Sequence, residues 1–109
     1  MGYYTAHRLS TRNSDKNISE ILSQLDKSEW EELFYSVDED GNTRDFSKWY
    51  NHEDDMKKLS LAFPDTIFHL YGEGESVEDI WHSYFLNGKA QHCPAKITFD
   101  EFDANKLSD

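Results

Sequence analysis

The chain of 109 residues is 37% hydrophobic and 15% aromatic, enough for one core and a single domain over 1–109, and it carries 22 acids against 11 bases, a formal net charge of −11. That balance argues against direct binding to nucleic acid or to an anionic membrane, whose phosphates it repels, and favours a basic protein surface as partner. The single cysteine, Cys93, excludes an internal disulfide and a cysteine-based zinc site, and no apolar run approaches the roughly eighteen residues of a membrane span.

In chain order, YYTAHRLS alternates and is rich in Tyr and Thr, which predicts a first strand ending near Thr11–Lys16. Ile18, Ile21, Leu22 and Leu25 then recur at helical spacing, with Ser14 or Asn17 to cap the first turn and a second short turn around Ser28–Glu32. LFYSV reads as a strand, and DEDGN as a turn into TRDFSKWY, a hairpin around Gly41. A helix follows from Asn51, with Glu53, Asp54 and Asp55 in its positive first turn and Met56, Leu59 and Phe63 on one face; Phe63-Pro64-Asp65 ends it. TIFHLYG and IWHSYFL are strands separated by the polar GEGESVED. Asn87-Gly88 joins the second of them to KAQHCPAKITF through a two-residue type I′ turn, with Ala95, Ile97 and Phe99 alternating against Lys96 and Thr98. The order β-α-β-(β)-α-β-β-β predicts an α+β fold: an antiparallel or mixed sheet with two helices on one face, ferredoxin-like, with a C-terminal β-hairpin.

The stretch from Asp38 imitates a calcium loop, because Asp38, Asp40 and Asn42 occupy its first, third and fifth positions. Thr43 replaces the glycine of position six and Trp49 the bidentate carboxylate of position twelve, so an acidic hairpin tip without metal is expected. Gly72-Glu73-Gly74-Glu75 is no phosphate loop, since its carboxylates repel the ligand. His7, His52, His69, His82 and His92 show no ligand spacing, although His69 and His82 lie in strands that can pair. Neither a nucleophile with its base nor a cofactor motif is present, so no cofactor and a non-enzyme are expected.

Acids concentrate between Asp26 and Asp55 and again at Glu73–Asp79. Asp38, Glu39, Asp40, Asp45, Glu73, Glu75, Glu78 and Asp79, with Trp49 and Tyr50 as aromatic anchors, are therefore the expected partner-binding residues.

The string WYNHEDDMKKLSLAFPDTIFHLYGEGESVEDIWHSYFLNGKAQ, followed by ITFDEFDANKL, resembles small uncharacterised proteins of phages and mobile elements in Gram-positive bacteria. That likeness covers about the last sixty residues; in element order alone, the chain is similar to the ferredoxin-like domain of YubB-type proteins. A phage origin implies the class of host-defence inhibitors, anti-CRISPR and anti-restriction proteins among them. The expected function is thus an acidic inhibitor, a DNA mimic, acting in the cytoplasm of the host bacterium. It would occlude the basic surface of a nucleic-acid-binding enzyme such as a CRISPR effector. The alternatives are a small ligand-binding domain or enzyme with an unrecognised pocket, and an immunity or antitoxin-like partner of one cognate protein.

Overall fold

The computed structural model describes residues 4–12, 16–76 and 78–108. Its strands are β1 (Ala6–Arg12), β2 (Ile67–Glu73), β3 (Ile80–Leu86) and β4 (Lys89–Pro94), and its helices are α1 (Ile18–Leu22), α2 (Glu31–Ser36) and α3 (His52–Ala62). The four strands form one sheet in the order β1-β2-β3-β4 with every neighbour antiparallel. This is an α+β meander with three helices among the described residues, rather than two. The pairings follow chain order and give the ferredoxin-like expectation no support.

Strand alternation sorts the sheet into two faces. His7, Leu9, Phe68, Leu70, Trp81, Ser83 and Phe85 are buried toward the helices. Ile18, Ile21 and Leu22 of α1, Leu33 and Phe34 of α2, and Met56 and Leu59 of α3 complete the core against them. Gly72 is the gap in this layer that Trp81 fills, since a Cβ at Gly72 would stand 2.2 Å from the indole ring.

Local chemistry fixes the helix ends. Asn17 caps α1 by accepting from the Glu20 amide at 2.9 Å, as its position predicts; Ser14, the other expected cap, lies outside the described residues. At the start of α3, Asn51 makes no side-chain cap bond. Trp49 Nε1 instead donates to Asp55 Oδ2 at 2.7 Å, which anchors the first turn. At the other end, Ser60 Oγ accepts from the Gly88 amide and donates to the Lys57 carbonyl, both at 2.8 Å, tying α3 to the β3–β4 turn. Ser60→Ala is expected to cost about 1–2 kcal/mol in urea unfolding, because it strips the turn amide of its acceptor.

Three expectations are corrected. LFYSV is not a strand: Glu31 and Glu32 favour a helix start, and burial of Leu33, Phe34, Ser36 and Val37 with Tyr35 exposed is helical, not alternating. TRDFSKWY is not the second arm of a regular hairpin. Beyond the Val37–Thr43 bridge it runs along the outer edge of β1: Leu9 N donates to Gly41 O, Thr43 Oγ1 donates to His7 O, and Thr5 and Ser47 exchange both backbone bonds at 2.9 Å. It thereby covers an edge that would otherwise be open. Finally, the last strand stops at Pro94, which has no amide hydrogen to extend the ladder. Ala95 N still reaches Ile80 O at 2.8 Å, but Ile97 and Phe99 lie exposed beyond it. The β3–β4 hairpin itself closes through Asn87 (φ 49) and Gly88 (φ 79), and residues 95–108 follow it.

Candidate interaction surface

α2 is the organiser of the acidic side. Ahead of it, Asp26 Oδ1 accepts from the Ser28 hydroxyl at 2.7 Å and the Ser28 amide at 2.9 Å, which holds that carboxyl below the ordinary range. Because α2 buries Leu33 and Phe34, it must expose Glu31, Glu32 and Tyr35, the last 61% accessible.

Three hollows adjoin along this helix. The first, about 450 Å³, is lined by Tyr4, Glu31, Glu32, Tyr35, Ser36, Ser47, Lys48 and Trp49. The second, about 410 Å³, shares Glu31 and Tyr35 with it and adds Lys27, Phe34, Arg44 and Asp45. A third, about 360 Å³, shares Lys27 and Phe34 with the second and ends at Glu39 and Asp40. Together they make a groove in which Glu31, Glu32, Asp45, Glu39 and Asp40 are interspersed with Lys27, Arg44 and Lys48. Two ion pairs among the described residues neutralise acids, Lys27–Glu39 at 3.0 Å and Lys58–Glu29 at 3.3 Å, and both are exposed to water.

The back of the first hollow is a buried polar network. Ser36 and Ser47 hydroxyls lie 2.6 Å apart, and Ser47 Oγ lies 3.4 Å from His7 Nδ1. Burial, reinforced by the nearby His52 imidazole, lowers the His7 pKa from 6.5 to about 4, so the ring is neutral near pH 7. His7 faces aromatic rings rather than a carboxylate: Trp49 at 5.3 Å, His52 at 5.9 Å and Trp81 at 6.0 Å between centroids. The Ser36 hydroxyl also donates to the Glu32 carbonyl at 2.8 Å, so these groups tie α2 to β1 and to the 41–47 segment.

The expected partner-binding residues separate into three places. Glu39, Asp40 and Asp45 line the groove. Asp38 sits at its end but is committed to its own turn, its Oδ1 accepting from the Asp40 amide at 2.9 Å and the Asn42 amide at 3.0 Å. That explains the DEDGN spacing without a metal, and the described residues hold no cluster of three metal-ligating groups.

Glu73, Glu75, Glu78 and Asp79 lie at the β2–β3 connection, which Gly74 N and Asp79 O close at 2.8 Å; Val77 within it lies outside the described residues. Glu75 alone approaches the groove, through the Tyr4 amide at 3.4 Å. Trp49, expected at the surface as an anchor, is a correction: it is 3% exposed and serves the start of α3. Tyr50 is 72% exposed. The groove's tyrosines, Tyr4 and Tyr35, were not picked out from the sequence; they and Glu31, Glu32 and Ser47 come from three separated segments, so only the fold assembles them.

The other sheet face carries a different chemistry. His69 and His82 rings are in direct hydrogen-bonding contact and stacked at 4.7 Å, with Tyr84 stacked on His69 at 4.7 Å and Tyr71 beside His82 at 5.0 Å. Arg8 lies over Tyr71 and Arg12 over Tyr84, 5.9 and 5.5 Å from the ring centres. Partial burial, then His82 and Arg12, lower the His69 pKa.

Comparison of the chain with protein-family models, curated proteins and solved structures finds no match. No helix among the described residues is long and apolar enough to cross a membrane.

Proposed function

We propose that this is an acidic inhibitor protein that blocks the basic, nucleic-acid-binding surface of a host-defence enzyme, with a CRISPR effector as the specific target. The observation that carries the reading is the groove along α2, where Glu31, Glu32, Asp45, Glu39 and Asp40 adjoin the exposed Tyr35 and Tyr4. A concave track whose acids outnumber its bases, Lys27, Arg44 and Lys48, is complementary to Arg and Lys side chains: carboxylates accept their N–H donors, and the exposed Tyr35 face attracts a cation, the Tyr4 ring being already covered by Lys48 at 4.9 Å. An enzyme surface that holds phosphates presents those side chains, so occupancy of the groove competes with nucleic acid. The choice of a host-defence target rests on the resemblance read from the sequence alone. The protein acts by binding, not catalysis. An immunity or antitoxin-like pairing uses the same physics with a different target.

The test is affinity capture on the tagged protein from a lysate of a CRISPR-bearing Gram-positive bacterium, beside its Glu31→Lys/Glu32→Lys variant. Both residues are exposed, so the variant is expected to fold. Wild type should retain a nucleic-acid-binding enzyme that salt releases and whose DNA cleavage it inhibits. The variant should bind that enzyme on the order of 100-fold more weakly. Equal retention by both proteins, or a captured enzyme whose cleavage is unaffected, overturns the proposal.

A further inference from the structure

We infer that the acidic, aromatic segment 97–103 docks on the open sheet face of a second copy of this chain, each copy covering the other in a reciprocal dimer. Ile97, Phe99 and Phe102 are 47%, 89% and 80% exposed, interspersed with Asp100, Glu101 and Asp103. The radius of gyration is 17.0 Å, against about 13 Å for a compact chain of this length, so part of the polypeptide is held away from the core. Beyond the Ala95–Ile80 bond, Phe99 and Phe102 are left largely uncovered by their own chain, and Ile97 about half uncovered.

The open face supplies the complement. Where Tyr84 meets the β3–β4 hairpin lies an apolar hollow of about 280 Å³, lined by Ile67, Tyr84, Leu86, Lys89 and Gln91. Lys89 stands at its rim and Arg12 over Tyr84. A phenylalanine in the hollow, packed against Ile67, Leu86 and the edge of Tyr84, brings the neighbouring carboxylates of the same segment onto Arg12 and Lys89. Among strand residues on this face the carboxylate is Glu73, at the far end of β2. The acidic segment therefore meets positive charge at the hollow although the molecule as a whole is strongly negative. With a Debye length of about 8 Å at physiological ionic strength, the contact charges outweigh the distant ones.

Geometry selects a second copy over the chain's own tail. The segment leaves β4 at Pro94, beside Ile80, whereas the hollow lies at the opposite, hairpin end of that strand. A reversal of direction consumes about four residues, which leaves Phe99 beside Pro94 and brings only Phe102 toward the hollow of the same chain, yet Phe102 is 80% exposed and not seated there. Gln91, where the hollow begins, is about 10 Å further along at roughly 3.3 Å per residue. In a two-fold dimer no reversal is needed, and both tails are satisfied by the same contact.

The inference uses none of the groove residues, so its failure leaves the proposed function standing, and the reverse. It is tested by sedimentation equilibrium of the full chain at physiological ionic strength. Wild type should sediment as a dimer. Phe99→Ser/Phe102→Ser and, separately, Arg12→Glu/Lys89→Glu should each raise the dimer dissociation constant by roughly 30-fold or more, the effect of losing an interface hot spot. All four residues are exposed, so the fold should survive, which circular dichroism checks. Mixing Arg12→Glu/Lys89→Glu with Asp100→Lys/Glu101→Lys/Asp103→Lys should restore a heterodimer, because the lysine tail then meets the acidic face and the wild-type acidic tail meets the wild-type basic face. A wild type that stays monomeric up to about 100-fold the concentration at which a micromolar dimer forms overturns the inference, as does dimerisation unaffected by both pairs of substitutions.

Discussion

Replacing Gly41 with alanine is expected to destabilise the fold by about 4 kcal/mol, read as a lower urea midpoint at unchanged slope. Gly41 has φ 82, and a Cβ there would stand 2.1 Å from the Leu9 carbonyl oxygen and 3.2 Å from Ile18 Cγ2. Dihedral strain accounts for roughly 1–3 kcal/mol and the overlap for a similar amount. The obstacle is backbone, so no rotamer change relieves it. Moving the turn outward would break the 2.7 Å bond from Leu9 N to Gly41 O and uncover the β1 edge. Gly88→Ala is the natural control: φ is 79 there too, but the nearest atom, at 2.9 Å, belongs to the Leu61 side chain, which is 60% exposed and free to swing aside. Its cost should be the dihedral strain alone, about 1–2 kcal/mol.

The second large effect is acid sensitivity from His7. Its pKa is about 4 in the fold against 6.5 as the ordinary value, so the unfolded chain takes up the proton at higher pH than the folded one. The stability contribution is complete above about pH 6.5, declines as pH falls toward 4 and is gone below both values, a span on the order of 3 kcal/mol. The lowered pKa of His69 acts in the same direction. Acidification also discharges carboxylates and relieves self-repulsion in so acidic a chain, which works the other way. The observable is therefore a difference: unfolding free energies at about pH 7.5 and 4.5 for wild type and His7→Gln. The variant should be less stable at the higher pH and lose less on acidification. An equal loss in both proteins would remove His7 as the source.

What the sequence showed of this fold follows the range of the interactions involved. Asn87 and Gly88 adopt the positive φ that their turn requires, Asn17 caps α1, and Met56 and Leu59 face the core, because each depends on neighbours a few residues away. α2 was illegible as a helix because LFYSV is too short for period to separate helix from strand, and packing of Leu33 and Phe34 decided it. Trp49 reads as a surface anchor beside Tyr50 until Asp55 and His7 supply it with partners on the inside. The groove was half legible: the density of acids marked the region, while Tyr4, about thirty residues ahead of α2 in the chain, was placed there by the Thr5–Ser47 pairing. The open face was hinted at by His69 and His82 in adjacent strands, but its arginines come from β1, whose register nothing local specifies.

The strand order sets the sequence in which the sheet assembles. β2, β3 and β4 are consecutive, and the β3–β4 connection is Asn87-Gly88 alone, whereas all three helices lie between β1 and its partner β2. Closing a loop of roughly fifty residues instead of two costs on the order of 3 kcal/mol more in chain entropy. The C-terminal meander is thus expected to form first and β1 to join last, an order that a φ-value analysis of β1 against β3 checks. During synthesis from the N-terminus, β1 emerges first yet must wait for β2. Until then its alternating apolar residues, Leu9 foremost, depend on the 41–47 segment for cover, the nearest strand-like partner already made.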